Sequence, residues 1–111
     1  MRHLKEYKIF ESKISIEDIK DILLELDDAG FRTDINYYIC YRIEIQKPKM
    51  GTFIYREVED VIERLKKFLV DRIISIFLYS REHHDLELEK FKKFDNFEEI
   101  KISGIEIKFN R

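Results

Sequence analysis

Residues 31–46 alternate with period two. The odd positions Phe31, Thr33, Ile35, Tyr37, Ile39, Tyr41, Ile43 and Ile45 are mostly apolar. The even positions Arg32, Asp34, Asn36, Tyr38, Cys40, Arg42, Glu44 and Gln46 are mostly polar. Such a segment buries one face of a sheet and leaves the other to solvent. Sixteen residues exceed the usual strand of about 3–10. A three-residue turn near Asn36–Tyr38 would preserve the parity, so a hairpin is expected in preference to one long strand.

On either side the apolar period changes to that of a helix. Ile16, Ile19, Ile22, Leu23 and Leu26 form one stripe between Ser15, a good N-cap, and Ala29. Asp18 can complete a capping box, Ile14 and Ile19 can form a hydrophobic staple, and Gly30 is the expected left-handed stop with Phe31 folding back on the last turn. A second helix begins between Phe53 and Glu57 and ends near Asp71, with Val58, Val61, Ile62, Leu65, Phe68 and Leu69 as its core stripe. Asp60–Arg64 and Glu63–Lys67 are favourably spaced pairs on its outside. The one clear breaker, Lys47-Pro48-Lys49-Met50-Gly51, precedes it.

Ile73–Ser80 reads as a strand apolar on both faces, which predicts that the C-terminal segment or another subunit covers its second face. Arg81–Phe97 is charged, a loop followed by a short helix through Leu88, Phe91 and Phe94. Ile100–Ile107 reads best as a hairpin about Ser103-Gly104, pairing Ile102 with Ile105, and second-best as one strand with a bulge at Gly104. The expected architecture is an α+β two-layer sandwich, two helices on one face of a mainly antiparallel sheet. Its order is αββαββ, or ferredoxin-like if residues 4–10 supply a first strand. Residues 13–111 form the single domain, preceded by a leader or arm over residues 1–12.

Composition narrows the function classes. With 44% apolar and 40% charged residues in 111 positions, the chain can bury one core. A net charge of −2 argues against binding nucleic acid by bulk electrostatics, although a local patch is not excluded. No apolar run approaches the roughly 20 residues of a membrane span, and no secretory signal is expected. Eighteen isoleucines and 13 lysines against one alanine, Ala29, suggest an AT-rich genome.

No phosphate-binding glycine loop, zinc-protease helix or serine elbow is present. Cys40 has no neighbouring base to activate it, and adjacent His83 and His84 would point to opposite faces of an extended segment. No catalytic group, metal site or cofactor is therefore expected. Two surfaces could bind a partner. Glu17, Asp21, Glu25 and Asp28, with Asp18 and Asp27, give the first helix an acidic outer face suited to a basic partner, or merely solvated. Tyr38 and Arg42 on the polar sheet face, with Lys47 and Lys49 nearby, could stack on and neutralise a single-stranded nucleic acid such as RNA.

The first twelve residues, Met1-Arg2-His3-Leu4-Lys5-Glu6-Tyr7-Lys8-Ile9-Phe10-Glu11-Ser12, resemble the capsid-targeting leaders of internal head proteins in T4-like tailed phages. Met1, Arg2, Leu4, Glu6 and Tyr7 follow the leader order, and Ile9-Phe10-Glu11 before Ser12 matches the cleavage pattern. The segment Ile19–Phe31 also resembles an opening found in small tailed-phage proteins with no activity to carry over. The resemblance implies a non-enzymatic phage protein, packaged in the virion head and cut after Glu11. It would bind a phage or host protein and could form a homodimer. The alternatives are an unprocessed inhibitor of a host defence or polymerase complex in the host cytoplasm, and an RNA-binding ferredoxin-like module.

Overall fold

The computed structural model describes residues 14–111. The readings of residues 4–10 as a strand, and of Ile9, Glu11 and Ser12 as a cleavage site, lie outside them. The first helix, α1, spans Ile16–Asp28, and the Ser15 hydroxyl accepts the Asp18 N–H at 3.4 Å. At its other end Gly30 adopts φ +91°, a conformation that favours glycine. The Phe31 N–H then reaches the Leu26 carbonyl at 2.9 Å and that of Gly30 reaches Asp27 at 3.1 Å, a Schellman closure that delivers Phe31 into the core.

Strands β1 (Arg32–Tyr38) and β2 (Cys40–Gln46) form the expected hairpin. Its register pairs Thr33 with Ile45, Ile35 with Ile43 and Tyr37 with Tyr41. The turn is centred on Ile39, beyond the predicted Asn36–Tyr38. Keeping Ile35 opposite Ile43 retains the two on one face, and that burial outweighs the local turn preference of Asn36. A turn of 3-10 helix, Tyr55–Glu57, leads into α2, Glu59–Leu69, in which Val61, Ile62, Leu65 and Leu69 are buried. Asp60 pairs with Arg64 at 3.4 Å as expected, whereas Glu63 meets Lys66 and Lys92 instead of Lys67.

Strand β3 spans Ile73–Ser80, β4 His84–Glu87 and β5 Gly104–Phe109, with a one-turn helix α3, Leu88–Phe91, after β4. The sheet order is β1-β2-β5-β3-β4, every neighbouring pair antiparallel. β2 and β3 therefore run parallel on either side of β5, joined by α2. In the ferredoxin-like order the strand between them would precede α1; here β5 occupies that place. Ile19, Leu23 and Leu26 of α1 and the α2 stripe pack with Ile43, Ile45, Ile76, Leu78, Ile105, Ile107 and Phe109 in one core. The two-layer α+β sandwich is the expected one.

Two details of the C-terminal half differ from expectation. The hairpin at Ser103-Gly104 does not form. Ile102 pairs with Phe53 through mutual backbone hydrogen bonds of 2.7 and 3.0 Å, while β5 runs on to Phe109 between β2 and β3. One central strand satisfies both neighbouring edges, which a hairpin folded on itself would leave unpaired. Nor does any second layer cover β3 among the described residues. Phe77 and Tyr79 on its outer face are only half-buried, flanked across the strands by Glu106 and Glu87 and by Gly104 and Asp85.

Candidate functional site

Exposed apolar side chains concentrate at one end of the sheet. Among the described residues seven large apolar side chains are exposed: Leu24, Tyr37, Tyr38, Ile39, Met50, Val70 and Ile74. The register brings Tyr37, Tyr41, Phe109 and Ile73 into one row across four strands. Tyr38 and Ile39 lie just beyond it at the hairpin turn, and Val70 and Ile74 flank the start of β3. Five of the seven thus share one end.

Ile39 is 83% exposed and holds φ +70°, and Tyr38 is 72% exposed. The left-handed region is costly for a β-branched residue because its Cβ crowds the backbone. Beneath the turn the structure is braced. The Tyr37 and Tyr41 rings lie 4.8 Å apart, and Tyr41 stacks on buried Phe109 at 5.4 Å. Arg111 lies over Tyr41 and its Nε donates to the Ile14 carbonyl at 2.8 Å. The two projecting side chains therefore stand on an aromatic ladder rooted in the core, which lowers the ordering cost of binding.

The open face of the sheet has a different character. Asp34, Glu44, Glu106, Phe77 and Glu87 form one row across all five strands. Glu106, whose side chain is 14% exposed, lies 3.3 Å from Arg42 Nε and 3.8 Å from Lys108 Nζ, and accepts the Tyr79 hydroxyl at 3.2 Å. The Arg42 contact is a charge pair without hydrogen-bond alignment. Burial, reinforced by the Glu106 charge, pushes the Tyr79 hydroxyl up to about 12.

The residues singled out from the sequence fall on two separate surfaces, one on α1 and one on the β1–β2 hairpin. Tyr38 projects from the turn, while Arg42 is held against Glu106. The register leaves Tyr38 and Arg42 diagonal neighbours across the hairpin, but the Arg42 charge is already paired within the chain and a carboxylate row lies beside it. On α1, Glu17, Asp21, Glu25 and Asp28 are all exposed. Glu25 is engaged by Arg64 at 2.8 Å and Glu17 by Lys20 at 3.6 Å, so part of the acidic face is neutralised within the chain. His83 packs on the Phe94 ring, and Cys40 is half-buried at the start of β2. Sequence alternation missed Ile39 because period two assigns it to the buried face, and no residue from 37 to 41 is a usual turn former. No family model, curated protein or solved structure matches the chain.

Proposed function

We propose that the chain is a non-enzymatic binding module that docks a protein partner through the apolar end of its sheet. Tyr38 and Ile39 would enter an apolar recess of the partner. The observation that carries this reading is Ile39, strongly exposed and held at positive φ on a braced turn. Asn or Gly would make the same turn without strain, and strain kept at an exposed position points to a role outside folding.

The leader resemblance of residues 1–12 supports a setting in the tailed-phage head, with cleavage between Glu11 and Ser12. The same docking end would serve an intact chain acting as an inhibitor in the host cytoplasm. The intact mass of the chain recovered from particles separates the two settings, since a processed chain begins at Ser12. The homodimer is a further proposal, and a one-chain mass by light scattering would remove it.

Affinity capture with three forms of the chain tests the docking surface: wild type, Tyr38→Ser/Ile39→Asn, and Asp21→Lys/Asp28→Lys. A partner retained by the wild type and the helix variant but lost from the turn variant is the expected result. A partner retained by the turn variant and lost from the helix variant would move the surface to α1.

A further inference from the structure

At the end of the sheet opposite the apolar turn, β1 begins, β2 and β3 end and β5 begins. A cavity of about 490 Å³ opens there, lined by Arg32, Lys47, Lys49 and Arg81 together with Gln46 and Ser103. Four of its lining residues are cationic and none is a carboxylate, in a chain whose acids outnumber its bases by 23 to 21. An adjoining recess of about 310 Å³ shares Gln46 and Ser103 and is walled by Tyr79 and Gly104, with the carboxylates of Glu44 and Glu106 at its far side from the cations.

These cations are weakly compensated within the chain. Lys49 and Arg81 have no carboxylate within 4.0 Å among the described residues, and the 3.8 Å contact of Arg32 with Asp34 is between exposed groups, a geometry worth little in water. Lys47 alone is anchored, 3.6 Å from Glu57 and over the Phe31 ring. Like charges lining one concavity repel, and the field they sum to attracts an anion. Both guanidinium groups can grip phosphate oxygens bidentately. The two recesses together fall in the size range of small-ligand sites. Tyr79 supplies an aromatic wall, its hydroxyl fixed on Glu106.

We propose that this groove binds a nucleotide phosphate, gripped by Arg32, Lys49 and Arg81, with the base directed towards Tyr79. The phosphate could belong to a free nucleotide or to a single strand of RNA, and the two arms of one experiment distinguish them. The site lies about 20 Å from the docking end, a seven-residue strand away, and stands independently of that reading.

The test is binding of the full chain to adenosine monophosphate by calorimetry and to a fluorescent twelve-nucleotide oligouridine by anisotropy. Each is repeated with Arg32→Gln/Lys49→Gln/Arg81→Gln and with an equal charge change elsewhere, Arg56→Gln/Lys67→Gln/Lys93→Gln. All six positions are exposed, so circular dichroism should show intact folds. The expected result is saturable binding of at least one probe, weakened at least tenfold by the groove variant and less than twofold by the control. For the strand, the salt dependence should also become shallower. Binding of the nucleotide alone assigns a small-molecule site, and binding of the strand alone assigns an RNA groove. Absence of binding by both probes, or equal loss in the two variants, would overturn the proposal.

Discussion

Replacing Ile39 by asparagine should make the protein more stable. The φ of +70° places the Ile39 Cβ against the backbone, at a cost of about 1–2 kcal/mol for an L-residue. Asparagine tolerates that region far better. The opposing loss is small, because the residue is already 83% exposed. Full burial of isoleucine contributes about 1.5–3 kcal/mol, and the remaining sixth roughly 0.3–0.5 kcal/mol. The balance is a gain of about 1 kcal/mol, which in a domain of this size raises Tm by about 4–8 °C. Urea unfolding should show a higher midpoint with an unchanged slope. Ile39→Ala serves as the control, since it removes the apolar side chain but lacks the short polar group with which asparagine hydrogen-bonds locally in the left-handed region; its gain should be clearly smaller. A destabilised Ile39→Asn, or equal midpoints for the two variants, would refute the strain argument. A gain in stability together with a loss of partner capture would be the trade expected of a strained binding residue.

Three further outcomes follow from the core and the open face. Tyr55 is 1% exposed and its hydroxyl has no hydrogen-bond partner among the described residues; removing the group by Tyr55→Phe should leave stability unchanged or raise it by up to about 1 kcal/mol in urea unfolding. Phe109 is fully buried beneath Tyr41, so Phe109→Ala should cost about 3–5 kcal/mol and release the aromatic ladder, seen as faster amide exchange across 37–41. Tyr79 is held protonated in the fold up to about 12 against an ordinary 10. Between those values the unfolded chain has already lost its proton, so the stability from this group is full below pH 10 and falls as pH rises towards 12. Tyr79→Phe should therefore flatten the alkaline limb of a stability–pH curve, and an unaltered limb would contradict the Tyr79–Glu106 arrangement.

Much of the fold was legible because each element announces itself locally. Ser15, the apolar stripe and Gly30 delimit α1 to within a residue, and the parity of residues 31–46 fixes which side chains face the core. The errors arise where non-local pairing decides. Ile100–Ile107 carries a good local hairpin pattern, yet the two open edges of β2 and β3 claim Gly104–Phe109 as one strand. β4 is only four residues long and rich in charge, so no periodicity marks it. The binding surfaces were less legible. Tyr38 was singled out, but as half of a pair with Arg42, whose guanidinium the fold sets against Glu106. The cations of the groove come from three segments distant in sequence, Arg32, Lys47 with Lys49, and Arg81, and converge only through the strand order.

The most direct test of the docking end is site-specific photo-cross-linking in the producing cell, with a benzophenone amino acid in place of Tyr38 or, as a control, of exposed Lys67 on α2. The expected result is one discrete protein adduct from position 38, suppressed by adding Ile39→Asn, and none of that mass from position 67. Adducts of the same mass and yield from both positions, or none from position 38, would contradict docking through the apolar end of the sheet.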